Sequence, residues 1–263
     1  PAERAGVLPG DKIFKIDDTE TLDMTVDEAV RLIRGQKGTT VRLTILREGE
    51  DETREFKIVR DKINIPIIST EKKQDKIFVI KLHSFSENSP EEMRKALREM
   101  ALSGSEKLIL DLRSNPGGYL EASVDIASWF LPLGKTVAKE HFNDGSETVY
   151  RSRGYNVFNK IPMVILVNQG SASASEILAG ALREHGVAKL VGEKTYGKGS
   201  VQELVNITPD TALKITIAKW LTPNGISISK EGLKPDTEVK ITKEDLEAAR
   251  DPQMEKAIEL LTK

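Results

Sequence analysis

Residues 164–202 read VILVNQGSASASEILAGALREHGVAKLVGEKTYGKGSVQ, and the order of patterns along them decides the fold. An apolar strand runs into a turn rich in serine and alanine, then an amphipathic helix, a second apolar strand, and a glycine-rich loop holding Lys198. In a right-handed β-α-β unit, the loops at the carboxyl ends of parallel strands share one edge of the sheet. A helix from about Ser173 to Glu184 advances roughly 18 Å at 1.5 Å per residue. The return strand Ala188 to Gly192 covers roughly 17 Å at about 3.3 Å per residue. The two nearly cancel, so the loop carrying Lys198 returns to the amino end of the serine helix. Ser173 and Lys198 are expected side by side.

Upstream, KLILDL (107–112) is a near-continuous apolar run, the signature of a strand covered on both faces. It enters Arg113-Ser-Asn-Pro-Gly-Gly118 and a helix with Leu120, Val124, Ala127 and Phe130 on one face. IFVIKL (77–82) is a further strand, and Ser89-Pro90-Glu-Glu92 reads as a capping box opening a helix. Strand and helix alternate from 77 to 192, which predicts an α/β core. Asn143-Asp-Gly-Ser146 reads as a hairpin turn. Downstream, VQELVNI and TALKITIAKW alternate as strands, and Thr242 and Asp251-Pro252 cap two short C-terminal helices.

The first 60 residues differ in kind. A Pro9-Gly10-Asp11 turn feeds a strand from Lys12 to Ile16, Thr25 and Glu28 form a capping box, and Val41, Leu43 and Ile45 alternate along a strand. Together they make a small β-rich module. Residues 61–75 are polar, broken by Ile65-Pro66, and read as a linker to a core over 76–263.

Three loops should meet at the active edge: Ser114 to Gly118, Asn168 to Ser175, and Glu193 to Ser200. A serine hydroxyl needs a base to become a nucleophile. His185 lies at the far end of the helix from Ser173, and nothing in the sequence places His83 or His141 on the edge. A lysine amine can replace histidine where burial lowers its pKa toward neutrality. Lys198 stands between Gly197 and Gly199, where backbone can bend closely around it, and Gln202 could accept a hydrogen bond from its amine. Backbone N–H groups for an oxyanion hole would come from Ala174 and the Gly117-Gly118 turn. Ser171 reads as a helix cap and Ser175 as the rival nucleophile. Gly192 to Lys198 mimics a phosphate loop, but Gly199 replaces the magnesium-binding hydroxyl and a strand follows instead of a helix. Asn206-Ile-Thr208 is a glycosylation sequon in a strand, and Asp111 and Asp125 read as structural.

These motifs are long and collinear. S-A-S-A-S-E (171–176), G-E-K-T-Y-G-K-G-S-V-Q (192–202), D-L-R-S-N-P-G-G (111–118) and L-T-P-N-G (221–225) together resemble the tail-specific proteases, the carboxyl-terminal processing peptidases. The N-terminal A-G-x-x-x-G-D-x-I resembles the later two-thirds of a PDZ domain, without its carboxylate-binding loop and ligand-pairing strand. The resemblance implies a ClpP/crotonase-like protease core behind a truncated PDZ-like domain. It implies Ser173 as nucleophile, Lys198 as base, Gln202 as orienting residue, and Gly117 or Gly118 with Ala174 as oxyanion donors. It further implies protein or peptide substrates with accessible C-termini, an extracytoplasmic location, and a homo-oligomer assembled through residues 242–263. Lys230-Glu231 departs from the small residues relatives carry there. The competing readings are a catalytically silent PDZ/crotonase-like binding protein, an acyl-CoA-processing crotonase relative, and an inactive fragment of the protease.

Composition narrows the field. A net charge of −2 over 263 residues gives no electrostatic case for nucleic acid or an acidic membrane. No apolar run approaches the roughly 18 residues that span a bilayer. With no cysteine, disulfides and thiol chemistry are excluded, and His83, His141 and His185 lack ligand spacing, so neither metal nor cofactor is expected. The chain opens without an initiator methionine, in mid-motif, so it reads as a trimmed piece whose missing leader says nothing of location.

Overall fold

Apolar alternation in the first unit builds a four-stranded sheet. The computed structural model describes every residue except Pro9, Glu48, Asn64, Ile65, Pro209, Asp210 and Lys230, with the side chains of Glu203 and Leu204 also undescribed. The chain divides into two compact units, Pro1–Ile65 and Pro66–Lys263. The first contains β1 (Lys12–Ile16), β2 (Thr19–Glu20), α1 (Val26–Ile33), β3 (Thr40–Leu46) and β4 (Arg54–Val59). They pair antiparallel in the order β2-β1-β3-β4. Val41, Leu43 and Ile45 point to one face and close a core with Ile16 and Ile58. Thr25 and Glu28 form the expected capping box: the Thr25 N–H donates to Glu28 Oε2 at 2.8 Å, and the Glu28 N–H to Thr25 Oγ1 at 3.3 Å. Of the Pro9-Gly10-Asp11 turn, Pro9 lies outside the described residues, as does Lys230 of the Lys230-Glu231 pair.

The second unit contains β5 (Ile68–Lys72), β6 (Ile77–Leu82), α2 (Ser89–Leu102), β7 (Lys107–Asp111), α3 (Leu120–Ser128), β8 (Thr136–Phe142) and β9 (Glu147–Arg151). There follow β10 (Met163–Val167), α4 (Ala174–Glu184), β11 (Ala188–Gly192), β12 (Ser200–Thr208), β13 (Thr211–Leu221), β14 (Thr237–Glu238), α5 (Lys243–Glu247) and α6 (Pro252–Thr262). The main sheet runs β14-β11-β10-β7-β6-β5, parallel throughout except for β5. Ile109 pairs with Val79 on one side and Val164 on the other, so β7 lies in the interior of the sheet. Its alternate residues serve different faces. Leu108 and Leu110 pack with α2, α3 and α4, whereas Ile109 packs with Ala257, Met254 and Ile258 of α6. Each such leucine or isoleucine, taken fully out of water, contributes roughly 1.5–3 kcal/mol.

A second sheet, β12-β13-β8-β9, is antiparallel, and the β8–β9 turn closes with the Phe142 N–H donated to Ser146 O at 2.9 Å. Thr242 and Asp251 cap α5 and α6 as expected.

Two expectations need correction. Residues 68–72 lie inside the stretch read as linker, yet they pair with β6 from Ile68↔Leu82 to Lys72↔Phe78. An edge strand exposing Ser69 and Glu71 carries no apolar alternation to announce it. Ser89 does not cap α2 either. It is already inside the helix, fully buried, and its hydroxyl donates to Ser86 O at 2.8 Å, while Asn88 takes the cap position without a side-chain bond.

Candidate active site

The carboxyl ends of β7, β10 and β11 carry three loops, and buried polar side chains lock them together. Asn115, fully buried, donates from Nδ2 to Leu82 O at 2.7 Å and accepts the Gly117 N–H on Oδ1 at 2.9 Å. Its own carbonyl accepts the Ala172 N–H at 3.0 Å and the Ser175 hydroxyl at 3.0 Å. The Ser171 hydroxyl donates to Leu112 O at 2.8 Å, and Asn168 Oδ1 accepts the N–H groups of Ser114 and Gly170. The β7 and β10 loops are therefore one hydrogen-bonded body.

Glycine is required where they touch. A Cβ on Gly117, whose φ is +95°, would fall 2.6 Å from Ala172 O and 2.8 Å from Ser173 Cβ. One on Gly118, at φ +143°, would fall 2.1 Å from Phe85 O. No other residue allows the loop to lie this close to the serine.

Ser173 has φ 55° and ψ −116°, a conformation rare outside glycine that costs on the order of 1–3 kcal/mol unless its surroundings impose it. Glu176 imposes it. This carboxylate is fully buried and accepts four donors. Oε1 takes the Thr195 hydroxyl at 2.6 Å and the Gly197 N–H at 2.7 Å; Oε2 takes the Ser173 N–H at 2.8 Å and the Lys198 N–H at 3.0 Å. A single oxygen thus holds the backbone of Ser173 and of Lys198, although residue 198 is itself exposed and not buried as expected. Their amide nitrogens lie no farther apart than the sum of those last two distances. Thr195 Oγ1 also accepts the Leu233 N–H at 2.7 Å, and Gly199 packs so tightly that a Cβ there would sit 2.3 Å from the Ser229 nitrogen.

The three serines separate by environment. Ser171 and Ser175 are fully buried with hydroxyls engaged by carbonyls, and Ser173 is half-buried. Ser171 is therefore a bridge between loops and not a helix cap. Among the oxyanion candidates, the Gly117 N–H is occupied by Asn115. Among the described residues, the N–H groups of Gly118 and Ala174 have no acceptor. The N–H groups of Gly197 and Lys198 that would cradle a phosphate are held by Glu176 instead.

Among the described residues no hydrogen bond joins Gln202 to Lys198. Gln202 lies exposed on β12, where the pairing with β13 shifts register between Val201 and Gln202, and bulges of this kind re-aim side chains. His185 sits at the far end of α4 with Nε2 against Thr136 O at 2.7 Å, and His141 faces Glu147. His83 corrects the sequence reading, because it directly follows β6 and so stands at the active edge. Its ring turns to Ser69 Oγ at 2.8 Å, and burial together with Lys81 holds its pKa below the usual value. Asp111 binds Arg113 and Asp125 binds Arg153 and Tyr155, so they form no pair. Sequence reasoning missed Glu176, although the Ser-x-x-Glu spacing from 173 to 176 was its signal.

Residues 76–239 match the model of Peptidase family S41, and residues 1–47 match a PDZ domain. The chain is 39% identical over 241 residues to the carboxy-terminal processing protease CtpA of Bacillus subtilis, covering 92% of this chain and 51% of that protein. It is 38% identical over 269 residues to the carboxyl-terminal-processing protease of Synechocystis sp., covering 100% of this chain and 62% of the relative. The chain thus spans about half to two thirds of the length of these relatives. Among solved structures, the photosystem II D1 C-terminal processing protease superposes with a TM-score of 0.76 at 29% identity, over 94% of this chain and 68% of that one.

Proposed function

The chain belongs to Peptidase family S41, and from that membership we propose that it is a serine endopeptidase acting near disordered protein C-termini through Ser173 and Lys198. The observation that carries the reading is the Glu176 oxygen shared by the Ser173 and Lys198 amides. In this mechanism the Ser173 hydroxyl oxygen attacks the scissile carbonyl as its proton passes to the Lys198 amine. The new oxyanion takes hydrogen bonds from the Gly118 and Ala174 N–H groups, the two that have no acceptor within the described residues. Collapse breaks the C–N bond, and the leaving amine takes the proton from Lys198. Water then attacks the acyl-enzyme, giving its proton to Lys198, and the serine leaves with one. Gln202, four residues beyond Lys198, would orient the amine. The relatives' names support a carboxyl-terminal processing role, and an extracytoplasmic location is proposed with it.

The test is to incubate the chain with an unfolded polypeptide and a fluorophosphonate, then locate the label by mass spectrometry. Label on Ser173 with cleavage of the polypeptide is expected. A chain that neither cleaves nor takes label defeats the proposal. Ser175→Ala is expected to keep turnover within about twofold and to lower stability by about 1 kcal/mol, the value of one hydrogen bond. Asn115 O still receives Ala172 in that variant. Turnover abolished by Ser175→Ala in a chain that still melts cooperatively would move the nucleophile to residue 175.

A further inference from the structure

The strand β7 does not pass straight into the glycine loop; Arg113 stands between them, and its guanidinium is held by two carboxylates. Nε and Nη2 donate to Asp111 Oδ1 and Oδ2 at 3.0 and 2.8 Å. Nη1 and Nη2 donate to Asp251 Oδ1 and Oδ2 at 2.8 and 2.9 Å, and Nη1 also reaches Gln253 Oε1 at 3.2 Å. The Arg113 side chain is only 13% exposed. Asp251 is the N-cap of α6, accepting the Met254 N–H at 3.0 Å. Gln253 is fully buried and donates to Val239 O at 2.8 Å. Burial alone would raise the Asp251 carboxyl; the guanidinium reverses this and holds it below its ordinary value.

The apolar side of α6 already docks on the sheet through Ala257, Met254, Ile258 and Leu261. The Arg113 contact is additional to this apolar docking, and it is made by the residue that precedes the loop. The next residue, Ser114, has φ 57°, a left-handed conformation uncommon outside glycine, with its N–H fixed on Asn168 Oδ1 at 2.8 Å. Arg113 is thus pinned on one side of a strained residue, and Asn115, Gly117 and Gly118 follow on the other.

Resting on the protease reading above, we propose that Arg113 is a positioning residue for the oxyanion loop, and that the C-terminal helix sets it through Asp251. A bidentate arginine fork between two carboxylates fixes direction as well as distance, which a single charge pair would not. Loss of Asp251 frees one side of the fork and lets residues 114–118 relax the strain at Ser114, moving the Gly118 N–H off the substrate carbonyl.

Asp251→Asn is the decisive variant, because asparagine caps a helix as well as aspartate but removes the charge and one acceptor. Ile258→Ala is its control, since it weakens the apolar docking of α6 and leaves the clamp intact. Steady-state kinetics on an unfolded peptide, well below both melting temperatures, should show kcat about ten- to a hundredfold lower for Asp251→Asn, short of the ~10²–10³ for losing a donor outright. KM should stay within about twofold, since the loop acts on the transition state more than on ground-state binding. Ile258→Ala should lower the melting temperature and leave kcat unchanged. Amide exchange at 114–118 should quicken in Asp251→Asn and not in Ile258→Ala, a readout that needs no activity. Equal kcat losses in the two variants at equal destabilisation, or unchanged exchange at 114–118 in Asp251→Asn, would overturn the assignment. A wild-type chain that neither cleaves nor labels would instead overturn the protease reading, and the exchange result would still decide the clamp.

Discussion

Lys198→Ala is expected to lower turnover of an unfolded polypeptide by about 10³-fold or more, and Ser173→Ala by at least as much. The losses should be chemical and not structural. Glu176 holds residue 198 by its backbone N–H, which alanine retains, so the loop keeps its place when the amine is removed. Both variants should therefore melt close to the wild type. A Ser173→Ala, Lys198→Ala double variant should be no slower than the worse single one, because a nucleophile and its base act as one unit and their effects do not add. Initial rates on a quenched peptide, with melting curves on the same samples, check all three statements. Retention of a tenth or more of wild-type kcat by folded Lys198→Ala would rule the lysine out as the base.

Glu176→Gln is the second large effect. The carboxylate accepts four hydrogen bonds in full burial, and the amide that replaces it presents one oxygen and an NH₂ group turned toward other donors. Hydrogen bonds to a charged group are worth about 1.5–3 kcal/mol each, and two are lost, so a destabilisation of about 3–6 kcal/mol follows. Turnover should fall about a hundredfold or more even where the chain stays folded, because Ser173 loses the contact that holds its strained backbone. Urea unfolding gives the stability change and kcat at low temperature gives the other. If Glu176→Gln matched the wild type in both, the carboxylate could not be what joins the two loops.

Much of this arrangement is legible in the sequence because it depends on lengths and periods. Helix rise and strand rise nearly cancel between Ser173 and Lys198, so their juxtaposition follows from counting residues. The apolar runs at 107–112 and 163–167 announce strands covered on both faces, and α6 together with α2, α3 and α4 covers them. What stays hidden depends on individual atoms. The edge strand at Ile68–Lys72 is held by backbone pairing, which side-chain pattern does not report. The choice between Gly117 and Gly118 rests on which N–H Asn115 already occupies. The interval from Lys198 to Gln202 is legible as spacing, whereas the register shift between Val201 and Gln202 turns on local geometry that spacing does not encode. Glu176 resembles an ordinary helix-capping glutamate until its other three donors are seen.

The parallel order β6-β7-β10-β11 bears on how the molecule is made. The glycine loop, the serine turn and the lysine loop issue from separate strands of that order, and the chain from Ser114 to Lys198 must be threaded through crossovers before any two of them meet. Such non-local pairing forms slowly, since loop-closure entropy is lost before contacts repay it. Until the last parallel strand is seated, Glu176 cannot hold the backbones of Ser173 and Lys198 together. On the proposed mechanism the chemistry would therefore depend on the finished fold, and a chain still folding would be inert.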